Sequence, residues 1–321
     1  MTDRTMKAVL FDRYGDPDVL YVGRVPRPAP APGEVLVRVR AFSINGGELA
    51  ARSGKLRLLT GRKFPKRIGL DFTGEVAALG TGTTSFAVGD RVWGVLARTA
   101  GFGSAAEYVT VSAERLGPVP DGLDLVHAAA LPVATTAVTA LRDKAALRPG
   151  ERLLVRGAAG GVGNSAVQLG RAYGAEVTAL ARAANLDFVR GLGAATALDH
   201  RKVRLPELGR FDVVLDTVGT ELPGFRRLLA PGGRMVTIAF DPARLVRSLG
   251  YLALSARHGR GRVRAFSGNP KRAEFDDLAR HVTEGKLGPA VDEVFSLADT
   301  AAAHRALEAG GVRGKYVVRV D

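Results

Sequence analysis

Cysteine is absent from the 321 residues of the sequence. Disulfides, iron–sulfur clusters, thiolate zinc sites and a cysteine nucleophile are therefore excluded, because each of them requires that side chain. A chain without cysteine suits a reducing compartment, so we expect a cytoplasmic protein.

Long apolar runs are also absent. The opening residues, MTDRTMKAVLF, lack the apolar core of a signal peptide. No stretch reaches the roughly 18 uninterrupted apolar residues that a membrane-spanning helix requires, so we expect no membrane span. Internal repeats and low-complexity linkers are missing as well, and a chain of this length predicts one or two domains with a substantial core.

Acidic residues are outnumbered, because 32 Asp and Glu face 46 Lys and Arg, which gives a net charge of +14. This excess raises the hypothesis of a nucleic-acid partner. The basic residues are mostly arginine, however, and they are spread along the chain without an aromatic-interleaved stripe. We interpret the densest run, residues 243–265, as a solvated helix and loop, with an anionic ligand or a membrane surface as the alternative. We expect no nucleic-acid partner, and a nucleic-acid binder stays as a competing hypothesis.

The pattern of apolar residues changes near residue 120. Before it, short apolar or alternating runs separated by Gly- and Pro-containing turns predict strands. After it, strands alternate with single helices, which predicts a parallel sheet covered on both faces. The final run, KYVVRV, predicts a strand that needs a sheet, and the first domain is the candidate. The pattern thus predicts a mostly β domain from residues 1–120 and 262–321, and an α/β domain from residues 121–261.

Three segments carry more local predictions. Residues 127–145, HAAALPVATTAVTALRDKA, predict a helix broken or begun near Pro132. Residues 221–233, ELPGFRRLLAPGG, predict a helix that glycine ends. Residues 263–267, VRAFS, predict a strand, and its edge would be available for pairing with a second copy.

The stretch RGAAGGVGNSAVQLG, residues 156–170, predicts a dinucleotide site. It follows the apolar strand ERLLVRG and continues as an amphipathic helix, which is the order that a G-x-G-x-x-G motif requires. Gly160 and Gly163 take the second and third glycine positions, and Ala158 takes the first. The helix N-terminus then offers free N–H groups to a pyrophosphate, although a glycine-rich turn without a ligand is the alternative. The predicted contacts are Ala159, Gly160, Gly161 and Val162.

The end of the next strand, EVTALAR, predicts which dinucleotide binds. An NAD site carries an acidic residue there to hold the ribose 2′-hydroxyl. This chain has Arg182 instead, and its next acidic residue is Asp187. A cation at this position favours the 2′-phosphate of NADPH, whereas a surface arginine without a ligand is the alternative.

Collinear motifs along nearly the whole chain resemble one family. They are MKAVLFDRYGDPDVL, EVLVRVRAFSIN, GLDFTGEVAALG, FAVGDRVWG, AEYVTV, AALPVATTAVTAL, AAGGVGNSAVQLG, FDVVLDTVG and GKYVVRV. The chain resembles the medium-chain dehydrogenase/reductase superfamily, and within it the zinc-independent quinone oxidoreductase, or zeta-crystallin-like, branch. The resemblance implies an α/β fold in which a doubly wound Rossmann NADPH-binding domain is inserted in a mostly β GroES-like catalytic domain. It also implies a homodimer joined through the Rossmann domains.

This chain lacks the zinc ligands that the zinc-dependent members of that family have. Those members have a catalytic cysteine, a Gly-His-Glu motif and a four-cysteine lobe, whereas this chain reads GLD at residues 69–71 and has no cysteine. A catalytic zinc needs about three protein ligands. The histidines are too dispersed to replace them, so we expect no metal site: His127, His200, His258, His281 and His304.

The resemblance also implies individual site residues. Asn45 matches the asparagine on the nicotinamide side, with a turn-forming role as the alternative. Related reductases read Asn-Pro-x-Asp-x-Tyr there, whereas this chain has Gly46, Glu48 and Ala50. The missing tyrosine keeps an enoyl or alkenal double-bond reductase open beside a quinone reductase. Further implied cofactor contacts, each with core packing as its alternative, are Thr136 (or the adjacent Thr135), His200, Val218, Ile238, Phe240 and Phe266.

The expected chemistry is transfer of hydride from C4 of NADPH to a small-molecule acceptor, either a quinone or a conjugated carbonyl. No Ser-His-Asp or Cys-His arrangement is visible, so the proton is expected from water. Asn45 then positions the nicotinamide ribose or the acceptor oxygen and is not a general acid. A cofactor-binding protein without turnover remains a further alternative.

Overall fold

The computed structural model describes residues 5–97, 101–240, 245–255, 257 and 263–321. The chain divides into two units, which we name by their secondary structure. The β unit comprises Met1–Pro132 and Asn269–Asp321, and the α/β unit comprises Val133–Gly268.

The strands and helices follow one another in an order that separates the two units. In the first part of the β unit they are β1 (Thr5–Phe11), β2 (Tyr21–Pro26), β3 (Glu34–Ser43), α1 (Gly46–Arg52), α2 (Arg57–Thr60), β4 (Lys66–Arg67), β5 (Asp71–Leu79), β6 (Arg91–Val95), β7 (Tyr108–Ser112), β8 (Leu116–Pro118) and α3 (Leu125–Ala128). In the α/β unit they are α4 (Ala134–Val138), β9 (Arg152–Arg156), α5 (Gly161–Ala172), β10 (Glu176–Ala181), α6 (Leu186–Gly191), β11 (Thr196–Asp199), β12 (Phe211–Asp216), α7 (Leu222–Arg226), β13 (Leu229–Thr237), α8 (Leu245–Ser255) and β14 (Val263–Ala265). The chain then returns to the β unit with α9 (Arg272–Thr283), β15 (Val291–Ser296), α10 (Thr300–Ala309) and β16 (Lys315–Arg319).

Two sheets form the β unit. The smaller has the order β2-β1-β4, and the larger has the order β15-β16-β3-β5-β6-β8, with β7 also paired to β3. Alternating residues of these strands face a common core that includes the fully buried Phe42 and Phe72. The C-terminal strand β16 pairs antiparallel with β3, so the predicted return of the last strand to the first domain is confirmed.

One parallel sheet forms the α/β unit, with the order β11-β10-β9-β12-β13-β14. Every neighbouring pair in it is parallel. Numbered within the unit, this is the 3-2-1-4-5-6 order of a doubly wound Rossmann fold. The fold class predicted from the sequence, a Rossmann sheet inserted in a mostly β domain, is confirmed.

The unit boundaries lie further along the chain than the sequence boundaries at 120/121 and 261/262. Residues up to Pro132 stay with the β unit because α3 packs on β3, β5 and β16. The hydroxyl of Thr73 also donates to the carbonyl oxygen of Leu125 over 2.6 Å. At the other boundary, β14 pairs with β13 and therefore belongs to the α/β unit.

Two predicted helices have different outcomes in the structure. The helix around Pro132 is broken there, as expected, into α3 and α4. The helix predicted over residues 221–233 is wrong in its second half, because it ends at Arg226 and β13 begins at Leu229. Leu229 pairs with Phe211, and the register then shifts so that the next pair is Arg234 with Val213. The glycines that suggested a helix stop thus lie within an irregular strand.

Candidate active site

Each strand of the parallel sheet is followed by predicted cofactor residues. Carboxyl ends of parallel strands meet at one edge of a sheet, where ligands of doubly wound folds bind. The structure therefore brings most of the predicted residues to this carboxyl edge. They are Ala159, Gly160, Gly161 and Val162 after β9, Arg182 after β10, His200 after β11, Val218 after β12, Ile238 and Phe240 after β13, and Phe266 after β14.

Thr136 reaches the same unit by another route. It lies on α4, which packs against α5, the helix that follows the glycine loop. Thr136 is half-buried, whereas the adjacent Thr135 is buried. The half-buried side chain of Thr136 is thus the more accessible of the two alternatives.

The glycine loop packs tightly against its helix. A Cβ added to Gly163 would lie only 2.1 Å from the carbonyl oxygen of Gly157, so only glycine fits at this third position. The backbone turns at Gly157, whose φ is +73°, and Ala158, at the first position of the motif, is fully buried.

The start of α5 fits an anion. Its N-cap, Gly160, has no side chain to bond the first amides of the helix. Asn164 Nδ2 donates to the carbonyl oxygens of Gly160 (3.0 Å) and Gly161 (2.7 Å), and Ser165 Oγ donates to that of Gly161 (3.1 Å). The polar side chains of the first turn therefore engage carbonyls and leave its N–H groups for a pyrophosphate.

Arg182 and His200 lie beside each other because β10 and β11 are parallel neighbours. The guanidinium of Arg182 has no hydrogen-bond or ion-pair partner among the described residues. His200 is held to β10, since its backbone N–H and its ring Nδ1 both donate to the carbonyl oxygen of Ala181, over 3.0 and 2.9 Å. A cation is thus free at the position where the sequence predicts the 2′-phosphate of the cofactor.

Asn45 belongs to the β unit, where it occupies the N-cap position of α1 without a capping bond from its side chain. Its Nδ2 donates to the carbonyl oxygen of Ser43 (3.1 Å), to Glu48 Oε1 (3.0 Å) and to Asp71 Oδ2 (3.0 Å). Its Oδ1 accepts from Lys315 Nζ over 2.7 Å. These contacts fix which way the amide points. We call Ser43, Asn45, Glu48, Asp71 and Lys315 the Asn45 cluster.

The charged members of the Asn45 cluster are almost completely buried, with exposed fractions of 0% for Glu48, 2% for Asp71 and 5% for Lys315. Two carboxylates face one ammonium. Burial, with a contribution from Asp71, raises the pKa of Glu48 to about 8, so Glu48 holds a proton at neutral pH. Burial lowers the pKa of Lys315, and the two carboxylates oppose this shift.

The sequence pointed to Asn45 but not to this cluster. Glu48 was noted only as a departure from the family motif, and Asp71 only as part of the GLD that replaces Gly-His-Glu. Lys315 gave no local signal, because pairing of β16 with β3 brings it to Asn45 from 270 residues away.

Among the described residues, no three His, Cys, Asp or Glu side chains are grouped in a way that suits a metal ion. The helices in the described part of the chain are also too short or too polar to cross a bilayer.

Known proteins are similar to this chain over nearly its whole length. Residues 31–121 match the alcohol dehydrogenase GroES-like domain, and residues 192–318 match the family described as zinc-binding dehydrogenase. The mitochondrial NAD(P)H oxidoreductase RTN4IP1 of Danio rerio is 31% identical, covering 98% of this chain and 91% of its own.

Solved structures are similar as well. The quinone oxidoreductase from Coxiella burnetii has 29% identity and a TM-score of 0.87, covering 99% of this chain and 100% of its own. The CurK enoyl reductase has 25% identity and a TM-score of 0.83, with the same coverage. These two neighbours thus carry different names, quinone oxidoreductase and enoyl reductase.

Proposed function

The chain belongs to the medium-chain dehydrogenase/reductase superfamily of nicotinamide-dependent oxidoreductases, and we propose that it reduces a quinone or a related conjugated acceptor with NADPH. The observation that carries the proposal is the carboxyl edge of the parallel sheet. The free amides at the start of α5 suit a pyrophosphate, and the unpaired Arg182 suits a 2′-phosphate. The similarity to a quinone oxidoreductase supports the choice of acceptor.

The reduced nicotinamide supplies a hydride when it is bound, and the protein supplies orientation. Asn45 positions the nicotinamide ribose or the acceptor oxygen. Its amide is no general acid, and its orientation is fixed by Lys315 on one side and two carboxyl groups on the other. Glu48 is fully buried with both oxygens engaged, so we assign the proton that completes reduction to water.

Zinc is not part of this proposal. The position of the zinc-binding histidine in Gly-His-Glu holds Leu70. The oxygens of Asp71 accept from Ser43 and Asn45, and those of Glu48 accept from Asn45 and Gly69. We expect metal analysis to find no stoichiometric zinc and chelators to leave turnover unchanged. One tightly bound zinc per chain would contradict this.

A double-bond reductase acting on enoyl or alkenal substrates is the second candidate. Ala50 replaces the tyrosine of the related quinone reductase motif, and the CurK enoyl reductase is similar over nearly the whole chain. A protein that binds the cofactor without turnover is the third candidate. All three candidates share the cofactor site at the carboxyl edge; the first two differ in the acceptor, and the third has no turnover.

An acceptor screen separates the candidates. NADPH oxidation is followed at 340 nm with a panel of quinones, α,β-unsaturated carbonyls and simple aldehydes, and ethanol oxidation is tested with NADP⁺. We expect turnover with quinones and weaker turnover with enones. Turnover with enones alone favours the second candidate, and binding of NADPH without turnover favours the third. Strong ethanol oxidation would contradict all three.

We further propose a homodimer joined through the α/β units. Strand β14 stands at the end of the parallel sheet among the described strands, which supports edge-to-edge pairing with a second copy. Light scattering at micromolar concentration is expected to give twice the chain mass, and a monomer would contradict the proposal.

We also propose a cytoplasmic location. The absence of cysteine supports it, because such a chain needs no oxidising compartment to fold. Fractionation of the source cells is expected to recover the protein with soluble cytoplasmic markers, and recovery in an organelle or membrane fraction would contradict it.

A further inference from the structure

Arg156 and Asp216 form a buried ion pair at the carboxyl edge of the parallel sheet. They are the last residues of β9 and β12, and they lie opposite each other in the pairing of these strands. This is the point where the strand order reverses, which is where dinucleotides bind in doubly wound folds. The side chains are 11% and 0% exposed, and Arg156 Nη1 lies 3.2 Å from Asp216 Oδ1.

Asp216 holds the loop that follows β12. Its Oδ1 accepts from the backbone N–H of Val218 over 3.1 Å, and its Oδ2 accepts from that of Gly219 over 2.9 Å. The hydroxyl of Thr237 donates to the same Oδ2 over 3.0 Å. Val218 thereby keeps an apolar side chain 43% exposed at an edge where a ligand would cover it.

Arg156 holds the far end of the same loop. Its Nη2 donates to Thr220 Oγ1 over 2.7 Å, and its Nη1 donates to the carbonyl oxygen of Thr220. The guanidinium also lies over the ring of Phe225, 4.2 Å from the centroid. With this many contacts the side chain has little freedom to move.

Arg156 is also the residue that leads into the glycine loop. Its carbonyl oxygen accepts from the hydroxyl of Thr217 over 2.8 Å. The two loops lie so close that a Cβ added to Gly157 would be 2.3 Å from Thr217 Oγ1. One arginine therefore connects the glycine loop to residues 217–220 through its backbone and its side chain together.

We propose that Arg156 is a positioning residue that fixes the glycine loop and residues 217–220 in the arrangement that binds the nicotinamide dinucleotide. The inference rests on the cofactor site proposed above, and it does not depend on NADPH over NADH or on the acceptor. Arg156 faces Asp216 and Thr220, and both of its terminal nitrogens, Nη1 and Nη2, donate to them. Its loss therefore weakens NADPH and NADH by the same factor, which separates it from Arg182.

The test compares Arg156→Met with the matched control Arg152→Met. Arg152 begins the same strand at the opposite edge of the sheet, where it is exposed and its guanidinium lies 5.3 Å from the ring centroid of Phe211. Dissociation constants of NADPH and NADH are measured by fluorescence, together with KM and kcat. We expect Arg156→Met to weaken both cofactors about tenfold, as loss of preorganisation does, with kcat at saturating cofactor within about twofold. The control keeps wild-type values.

Other outcomes overturn the proposal. Unchanged dissociation constants for both cofactors show that the loops hold their arrangement without Arg156. A loss confined to NADPH shows that Arg156 contacts the 2′-phosphate instead. If Arg156→Met does not fold, Arg156→Lys keeps the charge opposite Asp216 but cannot make the forked contact to Thr220. We then expect Arg156→Lys to lose affinity for NADPH and NADH equally, by less than tenfold. Wild-type affinity for both cofactors in Arg156→Lys would contradict the proposal. If the wild type binds neither cofactor, the cofactor site itself has been misassigned.

Discussion

Each unit of the chain buries a group of charged side chains, and the two groups differ in charge balance. In the α/β unit one arginine faces one carboxylate, Arg156 and Asp216. In the β unit the Asn45 cluster sets Glu48 and Asp71 against the single ammonium of Lys315. A buried charge without a partner is costly, so the unbalanced cluster must bind a proton and the balanced pair need not. Dependence on pH is therefore expected from the β unit.

The largest expected effect removes the single cation of the Asn45 cluster. Lys315→Met leaves two buried carboxyl groups without a positive partner and deprives Asn45 Oδ1 and the carbonyl oxygen of Ile44 of a donor. Breaking a buried ion pair in this way lowers the free energy of unfolding by about 3–5 kcal/mol. Thermal unfolding monitored by circular dichroism checks the expected drop in midpoint.

Lys286→Met is the control for that substitution. Lys286 is paired with Glu284, but both side chains are well exposed. Exposed pairs contribute at most about 1 kcal/mol, so its midpoint is expected to stay near that of the wild type. Equal midpoints for the two variants would show that the Asn45 cluster is not a tightly held ionic group.

The next effect contrasts two arginines at the carboxyl edge of the parallel sheet: Arg156, which is paired with Asp216, and Arg182, which is unpaired. Arg182 has no partner among the described residues, so its role is expected in the bound complex and not in the fold. Arg182→Ala should weaken NADPH by about 1–3 kcal/mol, the scale of a charge-assisted hydrogen bond, and leave NADH nearly unchanged. Calorimetric titration with both cofactors measures the difference.

Arg190→Ala is the control for Arg182→Ala. Arg190 lies on the following helix, is half exposed and is paired with Asp187. We therefore expect Arg190→Ala to bind both NADPH and NADH with the affinity of the wild type. Equal losses of NADPH and NADH in Arg182→Ala would show that Arg182 acts on the loops, as proposed for Arg156, and not on the 2′-phosphate.

The carboxyl edge and the Asn45 cluster also differ in how far sequence could predict them. The glycine loop and its strand and helix are contiguous, and each later predicted cofactor residue follows a recognisable strand, so the carboxyl edge was predictable, although the pairing of Arg156 with Asp216 was not. The Asn45 cluster draws Asp71 and Lys315 from β5 and β16, and only the pairing of those strands with β3 brings them together. The turn at Gly157 was missed for a local reason, because a run of glycines does not reveal which one adopts a positive φ.

A smaller effect, on catalysis, is expected from Asn45, the neutral side chain of the Asn45 cluster that we place in the reaction. Asn45→Ala should lower kcat/KM about tenfold, because about 1.4 kcal/mol of lost positioning is a factor of ten in rate. Affinity for NADPH is expected to change less than kcat/KM for the acceptor. Gel filtration should show that the variant is folded, and unchanged kinetics in a folded variant would contradict a role for Asn45.

The last comparison varies pH and tests the charge imbalance itself. Glu48 has a pKa of about 8 in the folded protein against 4.5 as a free side chain, so between these values the folded state binds more protons than the unfolded state. Stability from this group is therefore present below pH 4.5 and is lost progressively as pH rises towards 8. At Asp216 burial also raises the pKa, but Arg156 opposes the shift, so no comparable loss is expected from the α/β unit near neutral pH.

Glu48→Gln isolates that contribution, since glutamine resembles the protonated side chain in size and polarity. As pH rises from 4.5 to about 8, the unfolding midpoint of the wild type should fall relative to that of Glu48→Gln, with the two closest at the acidic end. Glu114→Gln serves as the control, because Glu114 is an exposed side chain that pairs with the exposed Lys271. Parallel midpoint curves for wild type and Glu48→Gln would mean that Glu48 is already ionised at neutral pH. The Asn45 cluster would then carry a buried net negative charge. It would differ from the Arg156–Asp216 pair in solvent access and not in proton binding.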